Sequence, residues 1–462
     1  MFVDIHNNLR KKCMSNMKRR YTAAAAMMMV MGLCASASAA YDENLNDYTL
    51  DTMVVEADAV KNKFGDTITE QSYYRTGGDV KVITRQEIEK RHYTDVTEAI
   101  KRIPGVYFQN PGYRGNGEYG WLPSQNGVSI NGDTRVVFLV DGRRVDNLVS
   151  EKIGSNSKSG SKATGTNIDQ IVNMENVDKI EVIKGPGAAQ YGSDATGGVI
   201  NIITKKTKQN YVKAAVGNDG RQEYSGSFQA EGFGFGYKYT KVGTTENVAS
   251  DGRDWKGPEN NNFDLSYQIN DRLLFTAGHN DSKYHYITEG KKATDTKQHV
   301  KRNNLQLAYD DNGFKATAYY VDRNREKDAI TLKTGKLAYD EENNKNFGLD
   351  LQKTWNLNNG DVALVGANYK AEQYTPYEQA MQSRNNYSVY ASYEKQFDEK
   401  NTLALSARES WTTGAPNDYN NTNFSGQVQY THKLAEDTNL YASIGQSYNC
   451  LLYTSPSPRD ST

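Results

Sequence analysis

The chain has 462 residues, a formal net charge of −1 and a mean hydropathy of −0.78, and it is long enough for more than one domain. Downstream of residue 40 it has no run of eighteen or more apolar residues. This excludes transmembrane helices but not a β-barrel, because alternating strands average to a polar hydropathy. The 32 tyrosines against 9 prolines favour strands and aromatic girdles, although composition alone would favour a soluble all-β protein.

Residues 1–39 are predicted to be a secretory signal peptide preceded by an upstream extension. The basic run Lys18-Arg19-Arg20 is followed by an apolar core from Tyr21 to Cys34 and then by small residues. Within these, Ala37-Ser38-Ala39 fits a cleavage site. The residues before the initiator then result from a start site that was assigned too far upstream, and the initiator is expected to be Met14 or Met17.

The cysteine and histidine content agrees with export and indicates no metal site. Between Ala40 and Asn449 the chain has no cysteine, so no disulfide, thiolate nucleophile or cysteine metal site is predicted there. The histidines show no His-Glu-x-x-His pattern. His279 and His285 are interpreted as strand or loop residues, with metal or haem ligation as the alternative. We predict no catalytic residue.

The segment at residues 40–66 is acidic and has little periodic pattern. It contains one apolar-rich heptad in an otherwise polar surrounding, made of Asp51, Thr52, Met53, Val54, Val55, Glu56 and Ala57. Such an extended heptad is a good strand donor to the sheet edge of a partner. The alternative is that it forms the first strand of the following domain.

An α+β module follows. The sequence predicts a strand at Val80–Ile83, a capping box at Thr84–Glu87 and a helical face within Asp95–Ile103 that ends at Pro104-Gly105. Further extended segments are predicted at Val106–Phe108 and Val136–Val140, the second ending at Asp141-Gly142.

Two loops interrupt this module and carry aromatic and cationic side chains. The first, Asn110 to Asn126, contains Tyr113, Arg114, Tyr119 and Trp121, and the second, Arg143 to Thr166, begins with Arg143 and Arg144. Aromatic rings and cations together suit a flat, electron-rich, anionic ligand through stacking and cation–π contacts. The alternative for the second loop is a solvated Ser/Gly-rich segment.

The stretch from Asn167 to Lys206 reads as a strand at Ile180–Ile183, a glycine-rich turn and a second strand at Gly198–Thr204. Its glycines allow positive φ angles and close backbone approach, which indicates a tightly folded unit. A phosphate cradle is disfavoured, because no Gly-Lys-Ser/Thr follows and Pro186 removes an amide donor.

From Tyr211 onward the chain becomes a series of alternating segments. Phe314, Ala316, Ala318 and Tyr320 share one face of one such segment. The connections alternate between short turns and long polar excursions, which we expect to be loops at Thr244–Asn262, Ser282–Arg302, Asp322–Asn344, Glu372–Asn385 and Thr412–Asn421. Short turns at one end and long loops at the other are typical of an outer-membrane barrel.

The part from Asp79 to Lys206 resembles the plug domain of TonB-dependent outer-membrane receptors, with several motifs in register. The plug signature residues that carry the resemblance are Gly185, Pro186, Tyr191, Gly192, Gly197, Gly198 and Asn201. Lys179 and Lys184 depart from the pattern, since the family commonly has arginine there. The charge is kept, but bidentate pairing with carboxylates on a barrel wall is lost.

The resemblance implies a transmembrane antiparallel β-barrel filled by an N-terminal α+β plug in the cell outer membrane. Asp51 to Ala57 would be the TonB box, and the two loops would form the plug apex that binds ligand. The implied partners are TonB with its inner-membrane energising complex, a metal chelate such as a ferric siderophore, and outer-membrane lipid. A monomer without cofactor, reaction or nucleic-acid partner is expected.

The ligand is expected to be a ferric catecholate siderophore. Tyr191-Gly192-Ser193-Asp194-Ala195, the heptad and the long second loop look most like the branch of catecholate-siderophore and colicin I receptors. Cobalamin receptors share the first feature but have a shorter second loop, and haem is poorly supported by the few histidines. A barrel enzyme or passive porin is the rival from another class, but the sequence has no nucleophile motif and a plug fits neither.

The pattern divides the chain into a signal peptide at 1–39, a TonB-box segment at 40–66, a plug at 67–208, a partial barrel at 209–449 and a tail at 450–462. We count about thirteen strands, against the roughly twenty-two of plugged transporters, and therefore expect an incomplete barrel. The tail looks like one reading frame of a sequencing adapter and is interpreted as an artefact. A short loop cut by chance is the alternative.

Overall fold

The computed structural model describes residues 79–108, 128–133, 136–145, 168–185, 191–192, 195, 197–205, 210–290, 293–357, 360–414, 421–435 and 438–446. All of them belong to one compact unit that spans Ala59–Thr462. The predicted signal peptide, TonB box, first-loop residues and tail lie outside the described residues. Within them, no helix is long and apolar enough to cross a membrane.

The first part of the chain is an α+β module. Its strands are β1 (Asp79–Thr84), β2 (Val106–Phe108), β3 (Val128–Ile130), β4 (Val136–Val140), β5 (Arg143–Arg144), β6 (Val177–Lys184) and β7 (Gly198–Thr204). Its helices are α1 (Arg85–Arg91), α2 (Val96–Ile100) and α3 (Ile168–Ile171), followed by a 3-10 turn at Met174–Asn176. Strands β2 and β3 form a separate antiparallel pair.

Helices α1 and α2 begin at side chains that accept hydrogen bonds from the first turn, as the capping box predicted for Thr84. The Thr84 hydroxyl accepts a hydrogen bond from the Glu87 amide at 3.3 Å, and Asp95 accepts one from the Glu98 amide at 2.7 Å. Helix α2 is shorter than the predicted segment, but the predicted apolar face, formed by Val96, Ala99, Ile100 and Ile103, is buried.

The module is built on a mixed sheet in the order β1-β6-β7-β4-β5, in which only the β4–β7 pair is parallel. The main apolar core lies on one face, where Ile180, Val182, Ile200 and Ile202 pack against the helices. On the other face a smaller cluster contains Val137, Leu139, Ile183, Tyr191, Ala195 and Val199. Both faces of this sheet are therefore covered, as its near-continuous apolar strands require.

The second part consists of strands, with one short 3-10 turn at Asn218–Gly220 among its described residues. Its strands are β8 (Tyr211–Val216), β9 (Gln222–Ala230), β10 (Phe233–Lys241), β11 (Thr244–Thr245), β12 (Trp255–Lys256), β13 (Glu259–Asn270), β14 (Leu273–Ile287), β15 (Thr294–Asp311), β16 (Phe314–Thr331), β17 (Lys336–Asn356), β18 (Val362–Pro376), β19 (Gln382–Gln396), β20 (Asn401–Thr413), β21 (Asn421–Ala435) and β22 (Thr438–Gln446). Thirteen of them form one antiparallel sheet in chain order, while β11 and β12 form a separate pair. The predicted number of strands is confirmed.

The prediction that the polar excursions are loops is wrong for most of them, because the strands run on through these segments. Between β16 and β17, pairing continues from Phe314↔Lys353 to Thr331↔Lys336, so nearly all of the predicted loop Asp322–Asn344 is strand. In these extensions charged and amide residues occur on both faces, as in Asp322 to Glu326, so the alternation of apolar residues that reveals a strand is interrupted. The backbones of neighbouring strands nevertheless pair with each other through these segments.

The large sheet is apolar on one face and polar on the other. Buried polar side chains face inward, among them Asn262, Gln306, Thr317, Gln352, Ser388 and Gln429. The outward face exposes large apolar side chains, among them Leu305, Leu307, Leu351, Val365, Val389, Leu405 and Val428. This is the reverse of a soluble protein and suits contact with lipid.

Aromatic side chains border this outward apolar band on both sides. On β17, Phe347 and Trp355 flank Leu349 and Leu351 at a separation of eight residues, which is roughly 27 Å along a strand. Because strands in membrane barrels tilt, the two rings are about 20 Å apart along the membrane normal, which is close to the height of the apolar band in such barrels. Next to Phe347 lie Tyr369 and Tyr387, whose ring centroids are 5.0 Å apart. Phe347, Tyr369 and Tyr387 form the upper aromatic row. This row lies on the side of the apolar band towards which the strands extend.

Candidate functional site

The α+β module is fixed to the first strands of the large sheet through the segment from Ile171 to Asn176. Asn173 Nδ2 donates to the Tyr211 hydroxyl at 3.0 Å, and Asn262 Nδ2 donates to the Ile171 carbonyl at 2.7 Å. Asn176 Nδ2 lies 3.3 Å from both carboxylate oxygens of Asp264. The module is therefore held against strands β8 and β13.

Glu175 adds a charged contact to the same segment. Its carboxylate pairs with Lys213 of β8 at 3.0 Å and with Arg85 of α1 at 3.3 Å. Partial burial alone would raise the pKa of Glu175, but the hydrogen bonds and charges of Lys213 and Arg85 outweigh it and lower the pKa. Glu175 therefore stays ionised and links helix, 3-10 turn and barrel strand.

A second contact region begins at Asp141, in the turn after β4. Its carboxylate accepts hydrogen bonds from the amide and the hydroxyl of Thr204, both at 2.8 Å, and its backbone carbonyl accepts one from Gln306 at 3.4 Å. Burial raises the pKa of Asp141, although the bonds from Thr204 and the charge of Arg143 oppose the rise. This turn is thus tied both to β7 and to the barrel wall.

Arg143 and Arg144, two of the predicted ligand contacts, form β5 directly after this turn. Arg143 is 6% exposed and interacts electrostatically with Tyr319 of β16 and Arg302 of β15. Burial lowers the pKa of Arg143 to about 10, with Asp141 and Tyr319 opposing this and Arg302 adding to it. Its Nε finds no hydrogen-bond partner among the described residues. Two arginines of the module and one of the wall therefore share one region.

This arginine region lies level with the upper aromatic row, between the apolar band and the extended ends of the strands. Tyr320, the neighbour of Tyr319, pairs with Phe347 of the upper aromatic row, so Tyr319 lies level with that row. The Tyr319 ring lies flat against Gly348 of β17, where any side chain would overlap it. Long connections lie on the outer side in barrels of this type, so the arginines face the outer end.

Higher on the inner wall, charged side chains are paired with one another. Glu372 of β18 is fully buried between Lys370, at 2.6 Å, and Arg384 of β19. Arg325 of β16 pairs with Asp340 at 2.9 Å and also with Glu342. The wall above the arginine region is therefore polar but internally compensated.

The structure describes six of the seven plug signature residues. Gly192 has a φ of +85°, which disfavours any side chain, and Tyr191 is buried in the smaller apolar cluster. At Gly198 a Cβ would collide with the Ile183 carbonyl, which explains the glycine at the start of β7. Gly185 and Gly197 are joined by an amide-to-carbonyl bond of 3.1 Å. Pro186 lies outside the described residues.

Asn201 takes part in a buried charged group on the plug sheet. Its Nδ2 donates to Glu181 Oε2 at 3.1 Å, and Lys179 Nζ pairs with Glu181 Oε1 at 2.7 Å. Lys179 and Glu181 are 3% and 4% exposed. The charge of Lys179 is thus compensated by a carboxylate of its own strand.

The remaining predicted site residues are those of the first loop and of the TonB box. Tyr113, Arg114, Tyr119 and Trp121, and the heptad Asp51 to Ala57, lie outside the described residues. Sequence reasoning missed Tyr319 and Arg302. A signal for the first existed, because a glycine inside a strand, such as Gly348, often marks a site that another group approaches closely.

Within the described part of the chain, no three His, Cys, Asp or Glu side chains are arranged to hold a metal ion. His279 Nδ1 lies 2.7 Å from Asn303 Oδ1. His285 accepts a hydrogen bond from the Lys256 amide at 2.8 Å, while its Nε2 lies 2.8 Å from Asp295. Both rings thus have structural partners.

A sheet that is polar inside and apolar outside, with an α+β module fixed to its inner wall, defines the class of plugged membrane barrels. The family model for the TonB-dependent Receptor Plug Domain matches residues 73–199, and that for the TonB dependent receptor-like beta-barrel matches residues 191–460. The chain therefore belongs to the TonB-dependent receptor family, which consists of transport receptors.

Relatives of known name support this membership. The chain is 32% identical over 198 residues to the iron-regulated outer membrane virulence protein of Vibrio cholerae, covering 42% of this chain and 26% of that protein. It is 30% identical over 232 residues to the vitamin B12 transporter BtuB of Vibrio vulnificus, covering 50% of this chain and 32% of that one.

Solved structures share the fold. A mutant of the ferric enterobactin receptor PfeA from Pseudomonas aeruginosa superposes with a TM-score of 0.58 at 16% identity, covering 81% of this chain and 62% of that one. The chain thus spans less than two thirds of the length of these relatives.

Proposed function

We propose that this chain acts in the outer membrane as a TonB-dependent receptor for the active uptake of a ferric siderophore of the catecholate type. The observation that carries the proposal is the arginine region formed by Arg143, Arg144 and Arg302 at the outer end of the plug. Ferric catecholates are anionic and present flat aromatic rings, and arginine binds such ligands by charge and by stacking on the rings.

In this proposal the predicted apex residues complete the site. Tyr113, Tyr119 and Trp121 would supply rings for stacking, and Arg114 would add a further cation beside Arg143 and Arg144. The buried Nε of Arg143 is a donor without a partner in the described part of the chain, and it could serve an anionic oxygen. No cofactor and no covalent reaction are involved, because ligand capture needs only binding energy.

Transport would follow from the predicted TonB box. TonB would pair with the heptad Asp51 to Ala57 as an added strand and pull on the plug. The anchors at Glu175 and Asn176 would hold part of the plug against β8 and β13 while another part moves. The protein would work as an exported monomer in contact with outer-membrane lipid, without nucleic acid.

Cobalamin is the second candidate ligand, because one relative is named a vitamin B12 transporter. Cobalamin lacks the high negative charge that would make use of three neighbouring arginines, so the arginine region favours the siderophore. A barrel enzyme is the rival from another class, but the chain belongs to a family of transport receptors.

Competition binding to cells that display the receptor tests the ligand. Ferric enterobactin is expected to bind and not to be displaced by excess cobalamin or haem. In the triple variant Tyr113→Ala, Arg114→Ala and Trp121→Ala we expect binding to weaken at least tenfold, since each lost contact contributes about 1 kcal/mol. Export and assembly should be unchanged.

A paired variant serves as the control for that experiment. Lys333→Ala and Lys336→Ala remove two exposed cations, one in the turn between β16 and β17 and one at the start of β17. Affinity should change less than twofold there. Displacement by cobalamin, or an unchanged affinity in the triple variant, would contradict the proposed ligand site.

A further inference from the structure

On the inner wall, Arg408 of β20 lies in a stack of four groups. Its guanidinium carbon is 5.0 Å from the centre of the Tyr390 ring, a cation–π distance. On its far side the Tyr390 ring lies against Gly366 of β18, where a Cβ would overlap it. The guanidinium also lies beside Gly192 of the plug, where a Cβ would be 3.6 Å from its Nη2. Ring and guanidinium are thus enclosed between two glycines.

Wall residues from four strands hold this stack in place. The Tyr390 hydroxyl donates to Asp350 of β17 at 3.1 Å, and Asn368 of β18 donates to the same carboxylate at 3.4 Å. Ser388 donates to Asn368 at 3.4 Å and accepts from Arg408 Nη2. Arg408 and Tyr390 are both nine-tenths buried or more. The arrangement is therefore rigid on the barrel side.

The plug side of the contact is a turn with little freedom to adjust. Gly192 has a φ of +85°, and the Tyr191 beside it and the nearby Ala195 are buried in the smaller apolar cluster with Ile183 and Val199. A planar guanidinium fits between the ring on one side and Gly192 on the other, where an added Cβ would be at ordinary contact distance. A lysine ammonium could keep the charge but not this contact.

We propose that Arg408 is a latch that closes the plug against strands β18 to β20. While its guanidinium lies beside Gly192, it covers the turn at Tyr191 and Gly192, and the apolar cluster behind this turn stays closed to water. Movement of the plug on this side requires the contact between Arg408 and Gly192 to open. Arg408 is thus a positioning residue of the plug and not a ligand contact.

Cysteine labelling in outer-membrane vesicles tests the latch in the full chain. In a background with the native cysteines changed to serine, single cysteines are placed at Ala195, in the cluster behind the latch, and at Ala99, in the main plug core. A small maleimide reports how often each site opens. With Arg408→Ala we expect the rate at residue 195 to rise about tenfold and the rate at residue 99 to change less than twofold.

Three further variants separate the latch from a general role in folding. Arg408→Lys should behave like Arg408→Ala, because the planar contact is lost. Tyr390→Leu should raise the rate at residue 195, whereas Tyr390→Phe, which keeps the ring, should raise it less. An unchanged rate at residue 195 in Arg408→Ala would overturn the proposal. So would equal increases at residues 195 and 99, since Arg408 would then support the whole plug.

Discussion

Replacing Val54 with proline is expected to abolish the uptake of ferric enterobactin while leaving its binding at the cell surface unchanged. Val54 is at the centre of the predicted TonB box, and partner strands recognise such a segment through its backbone hydrogen bonds. Proline removes one amide donor and cannot continue a paired strand. Accumulation should fall to the level of cells without TonB.

The matched control is Val54→Thr, which keeps the amide and a β-branched side chain. It should retain most of the uptake. Bound and accumulated ligand are measured on the same cells, so that a loss of export would show as a loss of binding. Accumulation by Val54→Pro at the parent rate would refute the assignment of the TonB box.

Glu181→Ala is expected to give the largest loss of plug stability. It leaves the Lys179 ammonium buried in the plug sheet without the carboxylate that pairs with it at 2.7 Å. Breaking one partner of a buried ion pair typically costs about 3–5 kcal/mol, because a buried charge is left uncompensated. Asn201 also loses an acceptor, at 3.1 Å in the parent. Native-state hydrogen exchange of the β6 and β7 amides measures the change.

The double variant Lys179→Met with Glu181→Leu is the control. It removes both charges and fills the same space with apolar atoms, which is often neutral or stabilising for a buried pair. We expect most of the lost stability to return. If Glu181→Ala alone costs less than about 1 kcal/mol, the pair is not the buried element that we describe.

The parts of the fold that the sequence predicted are those in which local chemistry and burial agree. Strand β7 has the predicted bounds, and Thr84 and Asp95 begin helices because their side chains accept hydrogen bonds from amides three residues on. The buried face of α2 followed from its spacing. These features depend on neighbours in sequence and need no knowledge of distant contacts.

The strand extensions could not be predicted, because polar residues on both faces interrupt the apolar alternation. The contact of Tyr390 and Arg408 with Gly366 and Gly192 was missed for another reason. It joins residues from three barrel strands and the plug, so no local pattern contains it. Gly366 inside a strand was a sign of it, but a glycine alone does not say which side chain fills the space.

The central claim is that this chain is an energised receptor, and the uptake of radioactive iron as ferric enterobactin by cells with and without TonB tests it most directly. Both strains express the same amount of receptor at the cell surface. We predict equal surface binding in the two strains and accumulation only in the strain that has TonB. Equal accumulation in both would contradict the account, because ligand would then cross a passive pore.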